Sequence, residues 1–145
     1  MKTIKSISIQ DQTCTLCGCL VHRTGDYGQP TVKGKSHASL HHFVAERFFG
    51  RSANRPGELR DAYPLSEAYQ QHEGRTGVFC YECHEELLHN PIILPDDLSL
   101  LHQLFVTRGL TEIQKSEDRT KAAGRVSLLH EIIRRGLESI NNQKS

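Results

Sequence analysis

The residues of this chain best suited to chemistry are cysteines and histidines at characteristic spacings. Two pairs of cysteines each enclose two residues, a spacing that presents two thiolates to one side of a metal ion. A histidine dyad lies between the pairs, and another histidine directly follows the second pair. These residues are Cys14, Cys17, His41, His42, Cys80, Cys83 and His84. Thiolates and imidazoles in this arrangement predict metal binding.

The cysteine pairs predict a structural zinc site. Tetrahedral zinc takes four ligands in such sites, and two C-x-x-C turns supply all four. We therefore expect zinc on Cys14, Cys17, Cys80 and Cys83. The alternative interpretation is a set of buried or redox-active thiols. The fifth cysteine, Cys19, belongs to neither pair. It could be a spare ligand, but we favour its interpretation as a free thiol.

The composition indicates a need for such a metal. The chain has 145 residues, of which 37% are hydrophobic, and it contains no tryptophan. Dense apolar clusters are especially scarce in its first half, and a region with so little core usually needs a metal or disulfides. The formal net charge of +1 excludes a strongly basic protein that coats nucleic acid.

The hydropathy pattern gives an expectation about location. No apolar run approaches the roughly 18 residues of a transmembrane helix, and residues 1–5 lack the apolar character of a signal peptide. We therefore expect a cytoplasmic protein with no membrane partner. In that compartment, paired cysteines are more often metal ligands than disulfides.

The region around the motifs is predicted to be mainly strand and loop. Alternating isoleucines predict a strand over 2–10, and the glycine-containing polar stretch 24–37 predicts a loop or hairpin turn. We expect a strand through 41–44 and another over 76–79. A helix should begin near His84 and end before the proline at position 91.

The C-terminal third is predicted to be helical. Pro95, followed by two acids, favours one helix start, and Gly109 favours its end. A long helix should follow between Glu112 and Asn141. Its apolar stripe is Val126, Leu129, Ile133, Leu137 and Ile140. Plain core packing is the favoured interpretation of this stripe, and a homodimer through the C-terminal helices is the alternative.

The combined motifs resemble those of the zinc-bearing HNH endonucleases, also called the ββα-metal or His-Me finger family. Such members place a histidine dyad on a strand between two C-x-x-C pairs, and a histidine at the start of the following helix. Here the dyad is His41-His42 and the helix histidine is His84. The resemblance covers roughly residues 12–90.

This resemblance implies a fold and an activity. The expected fold is α+β, with a zinc-stapled ββα-metal core over 1–92 and two or three C-terminal helices over 93–145, packed on the same domain. The expected activity is metal-dependent hydrolysis of phosphodiester bonds, with DNA favoured over RNA as the substrate.

The resemblance also implies roles for the histidines. His42 would be the general base, and His41 and His84 would bind a catalytic divalent ion such as Mg²⁺, Mn²⁺, Ni²⁺ or Zn²⁺. Neighbouring residues of a strand point to opposite faces, so one histidine can bind metal while the other activates water. A histidine with an ordinary pKa can serve as a base near neutral pH.

His89 is a further candidate ligand. The family often places its final histidine four residues after the first helix histidine, but position 88 is leucine and His89 lies one residue further. His89 is four residues from Glu85, and that pair is an alternative metal-binding set. His89 as an ordinary helix-end residue is equally open.

A locally basic segment follows the dyad. Arg47, Arg51 and Arg55 could contact DNA phosphates, which position a nucleic acid without specifying its sequence. An ordinary solvated loop is the alternative interpretation.

One departure from the family leaves a second functional class open. Arg75 or Thr76 occupies the place of the family's asparagine before the second cysteine pair. The alternative is therefore a non-catalytic zinc module that binds nucleic acid or a protein partner. A regulator that binds its partner through the long C-terminal helix is a third hypothesis.

Overall fold

The computed structural model describes residues 13–25, 27, 31–32, 34–50, 62–112 and 119–143. These residues form a small sheet and several helices, which confirms the α+β class. The strand predicted over 2–10 lies outside the described residues.

Among the described residues, the sheet has four strands, and one long strand lies at its centre. The strands are β1 (Val21–His22), β2 (Thr31–Val32), β3 (Lys35–His42) and β4 (Thr76–Cys80). Strand β3 pairs with β1 in parallel, and with β2 and β4 in antiparallel orientation. The β3–β4 ladder runs from Ala38 opposite Cys80 to His42 opposite Thr76.

Strand β3 differs from the prediction at both ends. It begins at Lys35, inside the stretch expected to be loop or turn, and it ends at His42 rather than residue 44. Two residues separate paired Val32 and Lys35, and the second, Gly34, has φ of 76°. Glycine adopts this left-handed conformation without strain, so Gly34 suits a turn directly before the strand.

The helices begin with a 3₁₀ helix, Glu46–Phe49, and a single turn, α1 (Glu67–Gln70). A π-helix, Glu82–Leu88, follows directly after β4, where a helix was predicted. The last two helices are α2 (Pro95–Thr107) and α3 (Thr120–Asn142).

The chain divides into two compact units. Residues 1–43 and 74–92 form the first unit, and residues 44–73 and 93–145 form the second. The sheet and the π-helix belong to the first unit, whereas α2 and α3 belong to the second. The predicted packing of the C-terminal helices on the zinc-bearing domain stays a prediction.

Among the described residues of the first unit, the buried core is small and rich in sulfur. Its buried cluster consists of Cys14, Val21, Ala38, Phe79 and Cys80. Apolar burial of about 25 cal/mol per Å² gives limited stability when so few side chains contribute. A metal bound by the cysteines would therefore be part of what holds this unit together.

One serine connects the central strand to the π-helix. The buried Ser36 hydroxyl donates to Glu82 Oε1 at 2.6 Å and accepts the Tyr81 N–H at 3.0 Å. The hydrogen bond from Ser36 holds the pKa of the Glu82 carboxyl below its usual range. These bonds fix the start of the π-helix against β3.

In the second unit, the predicted boundaries of α2 are confirmed, whereas α3 ends at Asn142, one residue beyond the predicted range. Helix α2 begins at Pro95, with the Asp97 carboxylate accepting the Leu94 N–H at 2.9 Å, and Gly109 follows its end with φ of 67°. The side chains of Ala123 and Leu128 in α3 are buried.

The apolar stripe of α3 is mostly open to solvent. Its members Leu129, Ile133, Leu137 and Ile140 are exposed, by 41% to 65%. Core packing therefore does not account for this part of the stripe, and the homodimer stays a prediction. Within the described residues, no helix has the combined length and apolar character of a membrane span.

The Ser36–Glu82 bond predicts a pH-dependent coupling. Because the folded pKa of Glu82 is lowered from 4.5, its contribution is present above that value and is lost as pH falls through the folded pKa. A double-mutant cycle of Ser36→Ala and Glu82→Gln, followed by urea unfolding, should give about 1.5 to 3 kcal/mol of coupling near neutral pH. The coupling should shrink in acid, and a value independent of pH would contradict this account.

Candidate metal centres

The four predicted zinc ligands converge. The sulfur atoms of Cys14, Cys17, Cys80 and Cys83 all lie within 4.8 Å of one another, and those of Cys17 and Cys80 are 3.8 Å apart. Zinc–sulfur bonds of about 2.3 Å place tetrahedral ligands about 3.8 Å from each other. The five cysteines, all within the described residues, form no disulfide. The cluster could therefore hold a metal ion such as zinc.

Backbone amides of both turns point at the sulfurs. The N–H groups of Leu16 and Cys17 donate to Cys14 Sγ at 3.3 and 3.4 Å, and the Cys83 N–H donates to Cys80 Sγ at 3.3 Å. The first turn closes at Gly18, whose φ is 82°. Such donors orient metal-bound thiolates and stabilise their charge.

The electrostatics of the thiols favour a bound cation. Burial raises the pKa of Cys14, but the amide donors outweigh it and lower that pKa to about 6. Burial and the neighbouring sulfurs raise the pKa of Cys83, and burial raises that of Cys80. Several thiolates this close repel one another, so a cation is needed for all four to ionise.

The fifth cysteine has a different environment. Cys19 is partly buried against the cluster core. Burial, followed by hydrogen bonds with Cys17 and Cys80, raises the pKa of its thiol to about 12. Cys19 is not one of the four sulfurs that converge, and this favours the free-thiol interpretation over a spare ligand.

Three histidines form a second cluster in the same unit. Each of His41, His84 and His89 offers one ligand atom within 4.8 Å of the other two. Their ring centroids are 5.1 Å apart for His41 and His84, 5.6 Å for His41 and His89, and 4.3 Å for His84 and His89. Imidazole nitrogens so arranged could bind one divalent cation.

The π-helix explains why His89 joins this cluster. In an α-helix, two residues five apart lie about 140° from each other around the axis. The i→i+5 bonds of a π-helix instead bring such residues close, and His84 lies in the π-helix while His89 caps its end. The five-residue spacing of His84 and His89 is one residue too long for an α-helix, but it suits the π-helix.

His42 is the neighbour of His41 on β3 but is not part of the cluster. Successive side chains of a strand point to opposite faces, and His42 is paired with Thr76 at the end of the ladder. Thr76 is therefore the cross-strand neighbour of His42, where the resemblance would place asparagine. The carbonyl of Arg75 accepts the N–H of Phe43 at 3.1 Å.

The two more buried histidines of the cluster favour the neutral form. Burial, and then repulsion from neighbouring histidines, lowers the pKa of His41. Burial and His89 lower the pKa of His84, with Glu85 partly opposing them. Neutral imidazole is the form that binds metals, so both side chains are ready to act as ligands.

Sequence reasoning missed Tyr27, which lies beside this cluster. Its hydroxyl donates to Glu85 Oε2 at 2.9 Å and lies 3.0 Å from His84 Nδ1. Burial is the main reason that the pKa of Tyr27 is raised, with the Glu85 carboxylate also raising it, so the hydroxyl keeps its proton. The sequence offers no signal for this contact, because Tyr27 belongs to a polar loop without a motif.

The predicted DNA-contacting arginines are only partly described. Arg47 is exposed on the 3₁₀ helix of the second unit, whereas Arg51 and Arg55 lie outside the described residues. Their contact with DNA stays a prediction.

Comparison with known protein families, curated proteins and solved structures finds no match to this chain. The functional argument therefore depends on the two side-chain clusters and the motif spacing.

The cysteine cluster makes a direct prediction about metal content. After dialysis to remove exchangeable metal, purified protein should retain one zinc per chain, and Cys80→Ser should lose it because three thiolates bind zinc far less well than four. Elemental analysis and circular dichroism would measure metal and fold together. The matched control is Cys19→Ser, which should retain zinc. Loss of zinc from this control but not from Cys80→Ser would contradict the assigned ligand set.

Proposed function

We propose that this protein is a metal-dependent endonuclease of the HNH type that hydrolyses phosphodiester bonds of DNA. In this proposal, β3, β4 and the π-helix form the ββα-metal core. The observation that carries the proposal is the convergence of His41, His84 and His89, together with His42 as the next residue after His41 on β3.

The contrast between the two clusters supports separate roles. Four cysteines give a closed set of protein ligands, which is typical of structural zinc. Three histidines leave coordination positions for other groups, which is typical of catalytic sites. A divalent cation bound by the histidines would stabilise negative charge on the phosphate and on the leaving oxygen.

The proposed work of the protein residues is proton transfer and positioning. His42 accepts a proton from the attacking water, since a neutral imidazole can act as a general base. His41, His84 and His89 would hold the cation beside the substrate phosphate. Arg47, Arg51 and Arg55 would contact the DNA backbone.

The alternative is a non-catalytic zinc module that binds nucleic acid or a protein partner. One observation favours it: Thr76, rather than asparagine, lies opposite the proposed base His42. The two functions differ in metal content. The module predicts one tightly bound zinc, whereas the nuclease predicts a second, exchangeable cation at the histidines.

The proposed nuclease predicts metal-dependent nicking of supercoiled plasmid. Zinc-loaded protein should nick it with Mg²⁺, Mn²⁺ or Ni²⁺, and His42→Ala should lower the rate by about 10²- to 10⁴-fold, the usual effect of removing a general base. The matched control is His102→Ala, because His102 is exposed on α2, and it should cleave like the unaltered protein.

Two other results of the plasmid assay would contradict the proposal. Absence of cleavage with every metal, by folded and zinc-loaded protein, would reject the nuclease in favour of the binding module. Equal cleavage by His42→Ala and the unaltered protein would remove His42 from the role of base.

A further inference from the structure

The histidine cluster is backed by a tyrosine and a carboxylate. The Tyr27 hydroxyl lies within hydrogen-bonding distance of His84 Nδ1 and of Glu85 Oε2, at 3.0 and 2.9 Å. The other carboxylate oxygen, Glu85 Oε1, lies 3.6 Å from His89 Nδ1. Tyr27 therefore contacts His84, and Glu85 lies close to His89, so this pair of residues reaches two of the three candidate ligands.

The directions of these hydrogen bonds fix the proton position on His84. An ionised carboxylate only accepts hydrogen bonds, so the single hydroxyl proton of Tyr27 is donated to Glu85. The bond between the Tyr27 oxygen and His84 Nδ1 must then use a proton on Nδ1. In neutral imidazole only one nitrogen is protonated, so His84 Nε2 carries the lone pair that a metal requires.

The contacts of its two carboxylate oxygens indicate that Glu85 is not itself a metal ligand. Glu85 Oε2 accepts the Tyr27 hydroxyl, and Glu85 Oε1 faces His89 Nδ1. With Nδ1 of His89 facing the carboxylate, its Nε2 is the nitrogen left for a cation. Carboxylates behind metal-binding histidines commonly fix ring orientation in this way.

Tyr27 is itself held by aromatic packing. Its ring lies edge-on to the buried His37, with centroids 5.2 Å apart, and it contacts the Tyr81 ring at 4.9 Å. Since His37 is on β3 and Tyr81 precedes the π-helix, this packing holds the hydroxyl between the sheet and the helix.

We propose that Tyr27 and Glu85 are positioning residues that keep His84 and His89 in the tautomer with Nε2 free, and so create a three-imidazole site for a borderline transition-metal ion. This inference deepens the proposed function, on which it rests for the role of the bound ion. Three imidazoles suit Ni²⁺ or Zn²⁺, whereas Mg²⁺ prefers carboxylates and water. The second centre therefore binds Ni²⁺ in preference to Mg²⁺.

Calorimetric titration of zinc-loaded protein with Ni²⁺ tests the inference. Tyr27→Phe keeps the ring and removes the hydroxyl, and Glu85→Gln keeps the shape and removes the charge. Each should weaken Ni²⁺ binding by about 10- to 100-fold, as other outer-shell substitutions do. Zinc content should stay at one per chain, which confirms that both variants are folded.

Two matched controls separate positioning from general loss of polar groups. Tyr81→Phe removes a neighbouring hydroxyl, and Glu86→Gln removes an exposed carboxylate on the same helix. Both controls should bind Ni²⁺ like the unaltered protein. Equal weakening in the controls would overturn the assignment of Tyr27 and Glu85.

Histidine tautomers give a readout that a purely structural role would not change. Long-range ¹H–¹⁵N spectra of zinc-loaded protein without Ni²⁺ should show the Nδ1–H form at His84. Tyr27→Phe should convert this signal to a mixture with the Nε2–H form. An unchanged tautomer together with unchanged Ni²⁺ affinity would overturn the inference.

The binding result is distinguishable from the nuclease result. Ni²⁺ binding that is weakened by Tyr27→Phe, in a protein that cleaves no plasmid, would support the positioning pair and reject the nuclease. Plasmid cleavage by a protein whose Ni²⁺ affinity is unaffected by Tyr27→Phe would support the nuclease and reject the positioning pair. Unaltered protein that binds Mg²⁺ more tightly than Ni²⁺, or no Ni²⁺ at all, would overturn the three-imidazole site.

Discussion

The pairing of β3 with β4 is the constraint on which both candidate metal centres depend. Its register sets Ala38 opposite Cys80 and His41 opposite Gly77. A strand rises about 3.4 Å per residue, so the cysteine and histidine ends of the ladder are about 10 Å apart. A side chain at Gly77 would approach the rings of Phe43 and Phe79 to 3.0 Å, so the residue opposite His41 must stay small. A shift by one residue would turn His41 to the other face and remove it from the cluster.

The sulfur-rich core and the histidine cluster are two consequences of that ladder. Cys80 ends β4 and enters the buried core, while the chain continues at once into the π-helix that carries His84. A cation on the cysteines would stabilise a unit in whose described part few apolar side chains are buried. The same stabilisation would fix the helix on which the second centre depends. In this account, structural metal binding precedes any chemistry at the histidines.

The sequence predicted the clustered side chains better than the backbone that positions them. Cysteine spacing identified the first cluster, and Pro95 marked the start of α2. The early part of β3 was missed because Ser36 and Ser39 are buried with hydrogen-bond partners, which a hydrophobic pattern does not register. The π-helix was missed because its i→i+5 bonds have no distinct sequence signature. Tyr27 could not be found from spacing, since its contacts with His84 and Glu85 join residues far apart in the chain.

The central claim is that one ladder supports two distinct metal centres. Anomalous X-ray diffraction at the zinc and nickel absorption edges, from crystals of zinc-loaded protein soaked in Ni²⁺, tests it most directly. The account predicts a zinc peak among the sulfurs of Cys14, Cys17, Cys80 and Cys83, and a separate nickel peak among His41, His84 and His89. Nickel bound elsewhere on the chain, with the three histidines left without a peak, would contradict it.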